Sequence, residues 1–188
     1  MQRRPADISS PMRTARLELI AMDLATIEAE LCGPAAVGTL LGVAMPESWP
    51  PGEFDRDAMR YFQQQLRESP AEQAGWLGWY AISTSSAGVR DAVVGAVGYF
   101  GPPVEGSVEI GYSVASESRN RGFATECVRA LVDRAFGFAR VRSVIARTRD
   151  TNVASTKVLT GCGFERIGPA SEDGLVRYQR DRCLQRPR

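Results

Sequence analysis

Between residues 119 and 125 the chain reads Arg119-Asn120-Arg121-Gly122-Phe123-Ala124-Thr125. An alternating run, Val108, Ile110, Tyr112 and Val114, comes just before it, and a helical stripe follows. The segment therefore lies where a strand passes into a helix. The first turn of a helix leaves backbone N–H groups unpaired and carries partial positive charge. A glycine there lets a ligand approach the backbone, and two arginines add charge. That combination suits a pyrophosphate. A capped helix start with solvated arginines has the same local sequence, so the segment by itself leaves both readings open.

Other chemistry is excluded by what is missing. The 188 residues contain no histidine, which removes Ser-His-Asp triads, Cys-His dyads and His-ligated metals. Acid–base work falls to Glu, Asp, Tyr, Ser, Cys, Lys, water or the substrate. Cys32, Cys127, Cys162 and Cys183 form no Cys-x-x-Cys pair and read as free thiols, with no metal site, in a reducing, cytoplasmic setting. Lys+Arg 23 against Asp+Glu 22 leaves a net charge of +1, which gives no argument for nucleic acid or an anionic membrane. No apolar run approaches the ~18 residues of a membrane span. The basic start has no apolar stretch after it, so no signal peptide is expected.

The elements that must position the turn follow from periodicity. Residues 1–13 read as a flexible arm, 14–182 as one domain and 183–188 as a tail. Arg16–Ile20 alternates as a first strand, with Asp23 capping a helix to about Leu31. Residues 42–56 are turn-rich, and 57–67 form a second helix with Met59, Phe62 and Leu66 on one face. Residues 76–82 and 92–100 read as strands. Ala124, Cys127, Val128, Leu131, Val132 and Ala135 make one face of a third helix. A strand near 142–148, a helix near 152–160 and strands near 164–167 and 175–180 close the chain. The fold class is α/β (α+β), a mixed, twisted sheet of six to seven strands with about four helices.

Four motifs in order give this pattern a family. Arg119-x-x-Gly122-x-Ala124 resembles the GNAT acetyltransferase signature, Gln/Arg-x-x-Gly-x-Gly/Ala. Glu109-Ile110-Gly111-Tyr112 precedes it and Thr125-Glu126 follows, as in the RimJ/RimL-like branch, whose members acetylate ribosomal-protein N-termini. Asn152-x-x-Ser155 and Leu159 before Gly163-Phe164 keep that branch's spacing, and Thr14-x-Arg16-Leu17-x-Leu19 is similar to its first strand. The match covers about residues 14–180.

The resemblance implies a sheet splayed between its fourth and fifth strands and acetyl-CoA as co-substrate. The pantetheine arm would bond to the strand of Ser113 and Val114, and the diphosphate would sit on the turn of Arg119, Asn120, Arg121, Gly122, Phe123, Ala124 and Thr125. The branch's pattern puts Ser155 near the coenzyme sulfur, and Asn152 either caps its helix or meets the pantetheine arm; both can hold. Glu109 is the candidate general base on the strand facing the split, with a structural pairing to a neighbouring strand's arginine as its alternative. Glu165 is second, and Glu18 and Glu126 read as surface residues. Two departures stand out: Leu159 and Arg147 occupy positions where well-known N-terminal acetyltransferases carry a tyrosine and a glutamate.

The acceptor is expected to be a primary amine, attacked directly in a ternary complex. A protein or peptide α-amine is the first reading and a small amine, such as an antibiotic, polyamine or amino acid, the second. A non-catalytic acyl-CoA sensor is the third. Met45, Trp49 and Trp76 are expected to wall the acceptor pocket, and the protein to be a monomer or homodimer.

Overall fold

The computed structural model describes residues 9–52 and 54–183. Eight strands form one sheet: β1 (Met12–Arg13), β2 (Leu17–Ala21), β3 (Gly78–Thr84), β4 (Arg90–Tyr99), β5 (Ser107–Val114), β6 (Ser143–Arg149), β7 (Glu165–Ile167) and β8 (Leu175–Asp181). Their order is β1-β2-β3-β4-β5-β6-β8-β7. Every neighbouring pair is antiparallel except β5 and β6. Six helices accompany them: α1 (Leu24–Cys32), α2 (Pro34–Leu41), α3 (Arg56–Glu68), α4 (Pro70–Gln73), α5 (Phe123–Gly137) and α6 (Val153–Gly161).

Two counts differ from expectation. The eighth strand is β1, whose Met12 and Arg13 pair with Leu19 and Glu18 rather than lying loose. Residues 1–8 of the expected arm and 184–188 of the tail lie outside the described residues. The additional helices are α2 and α4. Gly33 gives α2 no side-chain cap, and α4 is a single turn; neither leaves the capped, periodic signature of a longer helix.

The strong signals fold as their chemistry dictates. Asp23 and Thr26 form a reciprocal cap at α1, each side chain accepting the other's backbone N–H at 2.8 Å. Asp55 accepts from the N–H groups of Asp57 and Ala58 at 3.0 Å and starts α3. The stripe Cys127, Val128, Leu131, Val132 and Ala135 of α5 is buried against the sheet. Val128, Leu131 and Val132 each contribute roughly 1.5–3 kcal/mol on full burial.

The two faces of the sheet are covered unequally. α5 and α6 cover one face, in a core that includes Val108, Ile110, Val144, Ala146, Val176 and Tyr178. The second core lies under α1–α3 and takes its strand residues from β2–β4. It draws no buried residue from β5–β8 among those described, so the front face of that half receives no helix.

Candidate active site

Strands β5 and β6 pair from Ser107↔Ser143 to Ile110↔Ala146 and then part, while β6 continues to pair with β8 as far as Arg149↔Leu175. Gly111–Val114 therefore keeps β4 on one edge and opens on the other. This is the gap expected between the fourth and fifth strands, because β1 shifts the count by one. Backbone direction alternates along a strand. Phe100 N–H bonds to Glu109 C=O and Ala115 N–H to Val94 C=O, so the odd-numbered residues address β4. The backbone groups of Tyr112 and Val114 consequently face the open edge.

Opposite that edge, α5 begins at Gly122, whose φ of 80° is left-handed and which supplies no side-chain cap. Asn120 is also left-handed, with φ 60°. No side chain caps the first N–H groups of α5, which lie beside the exposed side chain of Arg119 and are free to take an anion. A cleft of about 720 Å³ joins the two features. Ser113, Val114, Arg119, Asn120, Gly122, Phe123, Ala124, Thr125, Asn152 and Ser155 all line it. Its dimensions fit a small-molecule site, and a diphosphate with an amide-bearing arm matches its donors.

Arg121 does not line this cleft. Its guanidinium lies over the Phe123 ring, 4.9 Å from the centroid, with Arg16 over the same ring at 4.8 Å. Arg16 also donates to the Arg121 carbonyl at 2.9 Å and bonds to Glu126. Glu126 takes a hydrogen bond from Thr14 as well. Burial opposes its ionisation, but the Thr14 and Arg16 bonds prevail and lower its pKa. Glu126 is thus a brace between the β1–β2 turn and α5. Glu18, expected on the surface, is 4% exposed and paired with Arg90 and Arg13.

Tyr112 is the residue that sequence reasoning missed. Its hydroxyl lies 2.7 Å from Ser155 Oγ and donates to the Ser155 carbonyl at 3.3 Å. Burial pushes the phenol up to about 12, against a lowering contribution from the Ser155 bond, so it holds its proton at neutral pH. Alternation assigns Tyr112 to the core face, and its ring does pack there; only the partner 43 residues away reveals the hydroxyl's role. Asn152 Oδ1 accepts the Ser155 N–H at 3.0 Å and caps α6.

Glu109 lies outside the cleft lining, on the front face, in an ion pair with Arg147. Glu165 stands on β7 opposite Gln179, with β8 and β6 between it and β5; the fold does not bring it to Ser155.

The expected acceptor wall divides. Trp76 is fully buried against Tyr99 and Phe138, with centroids 5.1 and 5.0 Å away. It belongs to the core under α5 and walls no acceptor pocket, because its ring is spent in packing on the face opposite α1–α3. Met45 and Trp49 lie in the loop between α2 and α3. Trp49 stacks on Tyr80 at 5.9 Å and donates to Glu30, which also accepts from Tyr80 at 3.0 Å. Burial raises the Glu30 pKa over the opposing effect of these bonds.

The same loop is fastened to the cofactor side. Ser48 donates its N–H to Glu117 at 2.9 Å and its hydroxyl to the other carboxylate oxygen, and Ser116 N–H donates to Ser48 Oγ at 3.0 Å. Led by the Ser48 hydroxyl, these bonds hold the Glu117 carboxyl down at about 2. Gly52, at φ 59°, packs so closely that a Cβ there would lie 2.6 Å from Ser113 Oγ. The loop therefore roofs the end of β5.

The model of the acetyltransferase (GNAT) domain matches residues 16–165, and the chain belongs to that family. It is an acyltransferase that uses acetyl-CoA. The chain is similar to the uncharacterized N-acetyltransferase YjdG of Bacillus subtilis (strain 168), with 27% identity over 154 residues, 81% of this chain and 88% of that protein. Its fold resembles the RimL ribosomal L7/L12 α-N-protein acetyltransferase solved with coenzyme A, at TM-score 0.62 and 17% identity, covering 92% and 98% of the two chains. It also resembles the spermidine/spermine N-acetyltransferase SpeG of Vibrio cholerae, at TM-score 0.60 and 13% identity, covering 89% and 95%. No helix among the described residues is long and apolar enough to cross a membrane.

Proposed function

We propose that this protein acetylates the α-amine of a peptide or protein N-terminus. The observation that carries the reading is the helix-free front face of β5–β8, which begins at the open edge of Gly111–Val114. An extended chain end can lie on such a face and present its nitrogen at the gap. The RimL protein, which shares the fold, is an α-N-protein acetyltransferase by its own description.

When bound, acetyl-CoA supplies a thioester whose thiol has a pKa near ~8.5 by analogy with cysteine. The chain's own groups take distinct parts in this reading. The α5 amides and Arg119 hold the diphosphate. The Val114 N–H, aimed into the gap, meets the carbonyl oxygen as it gains negative charge. The Ser155 hydroxyl, backed by Tyr112, donates to the departing sulfur at the start of α6, where the dipole favours negative charge. Glu109, ion-paired with Arg147 on the front face beside the cleft, is the carboxylate assigned to take the amine's proton through water. An α-amine with pKa ~7.7–8.0 is about a tenth neutral at pH 7, against below about 0.1% for a lysine amine, so it asks least of that base.

Thiol release from acetyl-CoA against peptides with free and blocked N-termini, lysine side chains and polyamines tests the reading. Turnover confined to free α-amines supports it. Preference for polyamines, as the SpeG likeness would favour, overturns it.

A further inference from the structure

Two arginines face each other on the front of the sheet just past the gap. Arg147 on β6 pairs in register with Arg177 on β8, so both side chains leave the same face. Like charges directly opposite in an antiparallel pair are unfavourable. Glu109 pairs with Arg147. Among the described residues no carboxylate forms an ion pair with Arg177, which donates to Gln179 Oε1 at 2.7 Å and keeps a buried Nε without a partner. Of the nearby charges, Arg149 approaches the Asp173 carbonyl at 3.5 Å and Asp181 accepts from Gln179. Glu165, opposite Gln179 and so on the same face, forms no ion pair with either arginine among the described residues, and Glu109 alone answers the Arg147–Arg177 pair, next to the place where the proposed acceptor lies. A guanidinium without a carboxylate partner is a ready site for one that arrives from outside.

We infer that the Arg147–Arg177 pair receives a carboxylate of the acceptor, so that the preferred substrate is a peptide with an acidic side chain near its N-terminus. The inference rests on the proposed acetylation of peptide α-amines and adds a specificity site to it. Neighbouring strands lie ~4.8 Å apart, which puts Arg177 at least two spacings from β5, and more where β5 and β6 part. An extended peptide advances ~3.4 Å per residue, so an Asp or Glu at the second or third position reaches the pair while the amine stays at the gap. A guanidinium fork suits a carboxylate and repels a polyamine.

The test compares kcat/KM for Ser-Glu, Ser-Gln and Ser-Lys peptides amidated at the C-terminus, together with free serine and serinamide. The expected order is Glu above Gln above Lys, with Glu on the order of 10-fold better than its neutral isostere. In Arg177→Gln the Glu/Gln ratio collapses toward one, and in Arg177→Lys it is partly kept, while thermal melting verifies that both fold. Free serine outrunning every peptide would assign the carboxylate to an amino acid and overturn the peptide assignment. A wild type that does not discriminate, or an Arg177→Gln that slows all peptides equally, overturns the inference. If no amine releases thiol, the acetyltransferase reading fails separately. Calorimetric binding of the Glu and Gln peptides to the coenzyme A-bound protein then decides, and equal affinities overturn the carboxylate site.

Discussion

The hydroxyl of Tyr112, on β5, lies 2.7 Å from the hydroxyl of Ser155, on α6, and the two bridge the mouth of the cleft. In the proposed mechanism they would act as a two-hydroxyl relay between the opened strand and the helix start. Ser155→Ala should bind acetyl-CoA almost normally and lose roughly 10–100-fold in kcat, the size of one charge-directed hydrogen bond of about 1.5–3 kcal/mol. Tyr112→Phe should lose less, and the double variant little more than Ser155→Ala. Single-turnover kinetics on the four proteins make the cycle; strictly multiplicative losses would show that the hydroxyls act apart.

The pH behaviour of Tyr112 follows from burial. Its folded pKa of about 12 lies above the ordinary value of 10. The sign is that of a raised group: its contribution is intact below pH ~10 and lost as pH rises toward ~12, because the unfolded chain sheds the proton first. The wild type should thus lose stability more steeply than Tyr112→Phe between those values. Denaturant melts of both proteins across the alkaline range measure the difference, and parallel curves would refute the assignment.

Gly122 separates backbone strain from ligand approach. At φ 80° an alanine is strained, and its Cβ would lie 3.4 Å from an Arg16 nitrogen. Gly122→Ala should lose about 1–2 kcal/mol of stability. Gly122→Glu adds an anion where phosphate is expected and should weaken acetyl-CoA binding far more than Arg60→Ala on the exposed face of α3. Calorimetry showing wild-type affinity in Gly122→Glu would remove the turn from the cofactor site.

The two arginines of the turn should differ. Arg119 lines the cleft and Arg121 stacks on Phe123. Arg119→Ala should raise the acetyl-CoA KM several-fold with little change in kcat, since the diphosphate keeps its charge through the reaction. Arg121→Ala should raise it less. Equal effects from both would mean that Arg121 swings round to the ligand.

Glu117→Gln should free the loop that roofs β5. The carboxyl is held at about 2, well below its usual 4.5, so the depressed group's contribution is present above pH ~4.5 and lost as pH falls toward ~2. At neutral pH the variant should show faster proteolysis within residues 43–52 and a raised KM for the acceptor. Unchanged proteolysis and KM would show that the Ser48–Glu117 bonds hold nothing in place.

What the sequence disclosed was mostly local. The turn at Gly122, the stripe of α5 and the caps at Asp23 and Asn152 each depend on residues within a few positions of one another. The gap itself was legible only through family resemblance. α2 stayed hidden because it starts at glycine and proline and carries an internal glycine. Trp76 was misplaced because an aromatic strand does not announce which face has a helix on it. Tyr112–Ser155, Glu117–Ser48 and Arg147–Arg177 join residues 43, 69 and 30 positions apart, and pairing across such distances is set by sheet order, which periodicity does not reveal.

The parting of β5 from β6 after Ile110 and Ala146 also bears on the life of the protein without its co-substrate. Four residues in the middle of a sheet are left with the character of an edge strand, and bare edges template pairing with other extended chains. Recognition there would run through main-chain groups, so most side chains along it can drift while a proline at Val114 would remove the N–H that faces the gap. A pantetheine arm seated in the gap would fill the missing place, so added acetyl-CoA is expected to reduce self-association of the folded protein as well as to stabilise it.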